Sequence, residues 1–296
     1  MDTIIETRDL TRSYWRTPVV NRLTLSVPRG SLCAFLGRNG AGKTTTLKML
    51  AGLVTPTSGT SSLLGRDSTR LRPEEWRRIG YVSENQKLYD WMRVDEIIAF
   101  TRKLYPGWDE AFEKDLTRRF SLPQDRRIKH CSLGQRRKLA LLLSLAYRPE
   151  LLILDEPFGG LDALVKDEFL SGLLELTQQN EWTVFFSTHD IAEVERLADH
   201  VMVLEQGALE LSEPLEALGR RFRKVEVYAP KPESFAVGDA LDFNTSGEAF
   251  SYVQPQWRPE MEAELGAAFG PAVEVRPMPL REIFLSLARS YQKRES

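Results

Sequence analysis

The chain has 296 residues, room for one large and one small domain, with the hydrophobic and charged content (42% and 28%) of an ordinary folded protein rather than a disordered one. A formal net charge of −2 gives no ground for nonspecific nucleic-acid binding, and no nucleic-acid partner is expected. Two cysteines, Cys33 and Cys131, make neither a disulfide framework nor a metal-ligand pattern, which fits a reducing cytosol.

The chain starts acidic and shows no apolar leader stretch, so no signal peptide is expected. Apolar runs such as LALLLSLAY (139–147) fall far short of the roughly 18 residues that span a bilayer. Work at a membrane would need another chain to do the spanning.

In chain order, the first strong signal is a buried strand at 31–36 followed by a helix at 43–53. Between them Gly37, Arg38, Asn39, Gly40, Ala41, Gly42, Lys43 and Thr44 match G-x-x-x-x-G-K-[ST], with Thr45 next. Glycines let the backbone curl so that N–H groups face inward as an anion nest, and the helix adds its positive end. Lys43 then reaches the β- and γ-phosphates of a nucleotide, and the Thr44 hydroxyl is offered to Mg²⁺.

Helical periods follow at 94–104 and 109–120, bounded by Pro106 and Pro123, so residues 86–148 interrupt the strand pattern. Tyr89, Trp91 and Met92 fall close together at the edge of this region. Near its end, KHCSLGQRRK (129–138) reads as a helix start, with Ser132 as N-cap and Gln135 closing a capping box. Arg136, Arg137 and Lys138 crowd its first turns, where the helix dipole disfavours positive charge. Such a start is expected to face something negative.

PELLILDEPFGGLD (149–162) is a second strand, apolar throughout as a strand covered on both faces should be, and ending in Asp155 and Glu156. Ligands bind at that end of strands in open α/β sheets. Asp155 would hold Mg²⁺ and Glu156 would polarise an attacking water; a solvated turn before Pro157 is the plainer alternative. A third strand in WTVFFSTHDIAEVERLAD (182–199) ends at His189, which is either a turn residue before an Asp190 cap or a third group on the same phosphate. Beyond about residue 222 the texture changes. KVEVYAP alternates like a strand, and 258–270 and 279–292 read as helices, the second amphipathic through Ile283, Phe284, Leu287 and Ala288.

The P-loop, CSLGQ, LLILDEP, GGLD and STHD, in that order over residues 1–220, resemble the nucleotide-binding subunit of ABC transporters. The resemblance implies an α/β P-loop NTPase cassette: a mixed-sheet RecA-like core, a β subdomain and a helical signature subdomain at about 86–148. Residues 222–296 would add a small α+β domain. It implies ATP and Mg²⁺ as ligands, with Tyr14 stacking on adenine. It gives Glu156, His189 and Lys43 the catalytic roles. Ser132, Gly134, Gln135 and Asp162 would meet the nucleotide of a second cassette, a copy or a different protein, in a head-to-tail dimer. Leu133 replaces a signature glycine and should then turn away from the phosphate. Glu84 stands where the family has glutamine, two residues before Gln86, and is expected to keep the metal-sensing role with Thr44 and Asp155.

By the same likeness the partners are integral membrane permease subunits, placing the chain in the cytoplasm, peripheral on the inner face of the membrane. Tyr89, Trp91 and Met92 would either receive a permease helix or pack locally. The segment PLREIFL (279–285) is similar to the tail of ABC-2-type ATPases, which favours export. The alternative function is a soluble ABC-type ATPase acting as an ATP-dependent clamp. A long coiled-coil insertion or a second P-loop would mark the known kinds of clamp, and neither is present. A generic P-loop kinase or GTPase leaves CSLGQ unexplained, and a non-hydrolytic partner subunit leaves Glu156 and His189 unexplained.

Overall fold

The computed structural model describes residues 2–179, 182–232, 235 and 238–295, and divides into two compact units, Met1–Ser212 and Glu213–Ser296.

The first unit opens with two long strands, β1 (Thr3–Tyr14) and β2 (Thr17–Pro28), paired antiparallel. Their buried residues Ile5, Leu10, Val20, Leu23 and Val27 form the inner face of a half-exposed sheet. β3 (Leu32–Leu36) enters the second sheet, and α1 (Lys43–Leu50) leaves it through the glycine-rich loop. β4 (Ser58–Leu63) and β5 (Arg66–Asp67) return to the first sheet, giving the order β2-β1-β4-β5. A short α2 (Pro73–Trp76) and β6 (Ile79–Val82) lead to three helices, α3 (Val94–Arg102), α4 (Glu110–Arg119) and α5 (Leu133–Leu145). Then come β7 (Leu151–Asp155), α6 (Ala163–Gln179), β8 (Thr183–Thr188), α7 (Ile191–Leu197), β9 (His200–Glu205) and β10 (Ala208–Pro214).

The second sheet runs β10-β9-β3-β8-β7-β6, with β9, β3, β8, β7 and β6 parallel to one another. β7 and β8 are buried along their whole length, so they carry apolar residues on both faces. The core between the two sheets joins Leu10 and Leu23 to Phe35, Leu47, Ile153, Phe185 and Met202. On the other face Phe158 meets Phe169 edge-on at 5.3 Å and Phe186 at 6.4 Å. This order places the ends of β3, β8, β7 and β6 side by side, so a loop leaving each of them opens at one rim.

The three-helix region is pinned by a buried carboxylate. Glu113 accepts from Arg102 Nε and Nη2 (3.0 and 2.6 Å) and from Trp108 Nε1 (2.7 Å), which satisfies the charge that burial would otherwise penalise. Of the expected aromatic cluster, Met92 is buried and so serves packing, whereas Tyr89 and Trp91 are exposed, with ring centroids 6.0 Å apart and Phe100 beside Tyr89.

The second unit contains α8 (Leu215–Arg221), β11 (Arg223–Val227), β12 (Leu241–Ser246), β13 (Ala249–Gln254), α9 (Glu260–Phe269), β14 (Val273–Pro277) and α10 (Leu280–Glu295). Its four strands are antiparallel in the order β12-β13-β11-β14. Numbered within the unit this is 2-3-1-4, the sheet order of a ferredoxin-like split βαβ. The boundary falls earlier than the expected 220. Arg221 on α8 pairs with Glu213 and donates to Pro255 O at 2.6 Å, while Trp257 N donates to Arg221 O at 2.7 Å, so α8 belongs with the second unit.

Candidate functional site

The glycine-rich loop turns at Gly40 (φ 86°) and Gly42 (φ 105°), and Gly42 sits so close to β2 that a Cβ there would lie 2.5 Å from Val19 O. The loop delivers Lys43 to the first turn of α1, where only 5% of the residue is exposed. A buried ammonium needs acceptors, and Nζ donates to Gly37 O (2.7 Å) and Arg38 O (3.2 Å). It also lies 3.1 Å from Glu156 Oε1. That contact is one of charge against charge, since Oε1 is buried and accepts no hydrogen bond among the described residues.

Glu156 follows β7 directly, and its backbone is left-handed at φ 46°. A side chain in that region costs about 1–3 kcal/mol and persists only where its surroundings hold it. Three bonds do so. Glu156 N donates to Ser187 Oγ (2.9 Å), and Glu156 O accepts from Arg137 Nη1 (2.7 Å) and Gly159 N (3.2 Å). Its other carboxylate oxygen, Oε2, lies 2.9 Å from His189 Nδ1. Lys43, Glu156 and His189, from three different strand ends, therefore form one chain of contacts.

Asp155 is the last residue of β7 and is 1% exposed. Oδ1 accepts from Thr44 Oγ1 (3.0 Å) and Ser187 Oγ (2.8 Å), while Oδ2 is buried without a partner among the described residues. Burial pushes its carboxyl above the usual range, the two hydroxyls pull against that, and nearby Glu84 and Glu156 add to it. Oδ2 is thus a desolvated acceptor oxygen, on the carboxylate whose Oδ1 accepts from Thr44. Thr44, Asp155 and Glu84 offer hard oxygen donors of the kind Mg²⁺ takes. Among the described residues no three His, Cys, Asp or Glu side chains converge as a complete metal site.

These groups border one cavity of about 490 Å³, well within the range that holds a nucleotide-sized ligand. Asn39, Gly40, Gly42, Lys43, Thr44, Thr45, Glu84, Glu156 and His189, all expected from sequence, line it. Gly37 and Ala41 shape the loop behind it, with Gly37 N donating to Thr188 O and Ala41 N to Arg38 O, both at 3.1 Å. The residue after Ser83 that faces the cavity is Glu84; Gln86 instead turns back, its Oε1 accepting from Ser83 Oγ at 3.0 Å.

Eight expected residues lie outside this lining: Gly37 and Ala41 of the loop, Asp155, which reaches it through Thr44, and Tyr14, Ser132, Gly134, Gln135 and Asp162. Tyr14 is exposed, with the Arg12 guanidinium 4.6 Å from its ring centroid. Ser132 and Gln135 form the reciprocal capping box, at 3.2 Å to Gln135 N and 3.0 Å to Ser132 N. Gly134 allows α5 to approach α6, since a Cβ there would lie 2.8 Å from Val165 Cγ1. Asp162 accepts from Val165 N at 3.0 Å and caps α6. Leu133, half-exposed, borders this chain's own cavity beside Gly160.

The basic residues of α5 find partners inside the chain. Arg136 pairs with Asp90 at 3.2 Å and Lys138 with Glu168 at 2.9 Å, so both are satisfied inside the chain. Arg137 reaches Glu156 and lines the cavity. Val19, Arg137, Ser187, Gly159 and Gly160 are the residues that motif reading missed. Gly159 and Gly160 had a signal, the GG that follows Asp-Glu-Pro-Phe. Ser187 had one too, as the first residue of STHD, whereas Val19 has none, because only the fold brings it here.

A family model described as ABC transporter matches residues 20–159. The bacitracin transport ATP-binding protein BcrA of Enterococcus faecalis is 35% identical over 226 residues, covering 76% of this chain and 73% of that one. The sulfate/thiosulfate import ATP-binding protein CysA of Escherichia coli K12 is 36% identical over 225 residues, covering 73% and 61%. Among solved structures, an ATP-binding subunit of an ABC transporter superposes with a TM-score of 0.66 at 30% identity, covering 74% of this chain and 92% of that one. A dimeric ATP-binding cassette in a post-hydrolysis state with ADP and Pi shares the fold, with a TM-score of 0.64 at 21% identity over 72% and 99%.

Proposed function

Because the chain belongs to the ATP-binding subunits of ABC transporters, and so to a family of ATPases, we propose how this cavity works and what it drives. ATP binds with its phosphates on the Gly37–Thr45 loop, and a water attacks the γ-phosphate in line. The observation that carries this reading is the contact chain Lys43–Glu156–His189, at 3.1 and 2.9 Å, on adjacent strand ends.

Each residue has a definite task. Lys43 exchanges its carbonyl acceptors for phosphate oxygens and neutralises charge that develops there. Glu156 takes the proton of the attacking water. His189 holds the second carboxylate oxygen of Glu156 and so fixes where that base points. Thr44 and Asp155, with Glu84 across the cavity, would hold Mg²⁺, which supplies charge neutralisation at the phosphates when bound.

Transport itself requires a membrane permease supplied by other chains, since no helix among the described residues is long and apolar enough to cross a membrane. The chain then works at the inner face of the membrane through that partner. The exposed Tyr89, Trp91, Phe100 and Leu104 suit a helix of the permease. ATP binding closes two cassettes head to tail, with Ser132, Gly134, Gln135 and Asp162 facing the nucleotide of the opposite subunit. The direction we assign is export, on the likeness of 279–285 to the ABC-2 tail.

The test is purification of the tagged chain from detergent-solubilised membranes of its native cell. A stoichiometric multi-span protein is expected to accompany it. Recovery only from the soluble fraction, or with nucleic acid, would keep the ATPase and remove the transport role.

A further inference from the structure

Arg137 is a cation kept where burial disfavours it. It stands in the second turn of α5 and is half-buried, and that desolvation lowers its pKa, against the pull of Glu84, Glu156 and Glu193. Its Nε is buried with no partner among the described residues, a further cost. Arg136 and Lys138, its neighbours, meet carboxylates within the chain; Arg137 instead spends Nη1 on a main-chain carbonyl, Glu156 O, at 2.7 Å. Local rules broken together at a cavity wall mark a residue selected for function.

The bond it makes falls on a strained element. Glu156 is left-handed, and its carbonyl orientation sets where the carboxylate projects. The guanidinium also lies under Gly159, whose Cβ, if present, would be 3.9 Å from Nη1. Arg137 thus ties the signature helix to the turn that carries the base, inside one subunit.

We propose that Arg137 is a positioning residue for ATP hydrolysis, holding Glu156 in its left-handed conformation through the main-chain carbonyl so that the carboxylate stays aimed between Lys43 and His189. The inference rests on the reading of Glu156 as the base. It makes movement of α5 felt at Glu156 in the same subunit, by a route that does not pass through the nucleotide.

The test uses the full chain. R137M keeps an unbranched stem without a donor, and R137K restores one cationic donor. Steady-state ATPase gives kcat, binding of a fluorescent ATP analogue gives Kd, and thermal melting confirms folding. R137M is expected to lower kcat about a hundredfold, the effect of a misplacement of about 1 Å, with Kd unchanged within about threefold. R137K is expected to recover about tenfold of that loss, because a lysine ammonium can still donate to Glu156 O. The same loss is expected when R137M is combined with E84Q.

Three results would overturn the proposal: turnover by R137M within twofold of the parent, a loss confined to Kd, or recovery on the E84Q background. The last would make Arg137 a counter-charge for Glu84 and nothing more. E156Q is run beside them. If E156Q turns over ATP normally, the assignment of the base fails and takes the inference with it; if E156Q is inactive and R137M is not, only the inference fails.

Discussion

The two units of the chain treat charge differently. In Met1–Ser212 the buried residues include Lys43, Glu113, Lys138, Asp155, Glu156 and Glu193. In Glu213–Ser296 the buried polar residues among those described are Gln254 and Ser286, and the core is apolar and aromatic: Val225, Val227, Phe250, Tyr252 and Leu265. Burying an ionised group is costly unless it is paired. The first unit accepts that cost; of its six buried charges, Lys43 and Glu156 line the one cavity and Asp155 is hydrogen-bonded to Thr44 in its wall. The second unit keeps its charges partly exposed, as in Lys224–Glu226 and Arg276–Glu282.

The strongest way to break this contrast is to remove a buried charge and find chemistry unaffected. E156Q keeps the size of the side chain and removes the base. Its kcat is expected to fall about a thousandfold, within the range typical of a lost general base. ATP binding is expected to persist, and the variant should accumulate as a dimer in Mg-ATP on size exclusion. Normal turnover would remove Glu156 from its role.

Asp155 sharpens the contrast, because there stability and chemistry are expected to move in opposite directions. Its carboxyl is held above the usual range by burial, so folding favours the protonated form. That contribution is complete below the unfolded value of about 3.9, and it is lost as pH rises through the folded value. At neutral pH the ionised group is therefore a cost. D155N, with its amide oxygen still able to accept from Thr44 and Ser187, is expected to raise the thermal midpoint at pH 7 by about 2–4 °C. The gain should fade as pH falls toward about 4, where both states protonate the parent side chain. Mg-ATPase should fall about a hundredfold. A D155N protein less stable at pH 7 would show that Asp155 is held for structure.

Much of this site was legible in sequence because its residues sit next to the ends of strands. Once the runs 31–36, 149–155 and 182–188 are read as parallel strands, Lys43, Asp155, Glu156 and His189 must open at one rim. The sheet order β3-β8-β7-β6 is what brings them within 3 Å or so of one another. Arg137 was visible as part of a basic cluster but was given no role of its own. The dipole argument asked for an anion in front of the helix, and the structure answers with a carbonyl beside it. Leu133 likewise needed α5 to be placed against Gly160 before its direction was defined. Capping and periodicity were read nearly to the residue, since they depend on neighbours three and four positions away. The second unit's sheet order depends on pairings between strands as far apart as β11 and β14, for which local patterns carry little signal.

Glu84 tests the finer charge balance within the first unit. It lines the cavity where it raises the carboxyl of Asp155 and supports the charge of Arg137, so it acts on both sides of the balance. E84Q removes the charge and keeps an oxygen donor. It is expected to retain ATPase within about fivefold, with a small shift in Mg²⁺ dependence, because one oxygen ligand replaces another. E84A should need more Mg²⁺ for half-maximal activity. Identical Mg²⁺ titrations for E84A and the parent would end the metal-sensing assignment.

The smallest expected effect on turnover comes from the second unit, and it is the direct check on the contrast between the two. Phe250 is 3% exposed, and its ring meets Phe235, Phe243, Tyr252 and Phe269 at centroid distances of 5.6 to 6.4 Å. F250A deletes the centre of that cluster, and truncating a buried phenylalanine costs about 3–5 kcal/mol. If the second unit contributes only stability of its own, melting should split into an early transition for residues 213–296 and a later one for the remainder. The kcat measured below the first transition should match the parent within about twofold. A kcat that falls together with the early transition would mean that the apolar unit sets the geometry of the charged one.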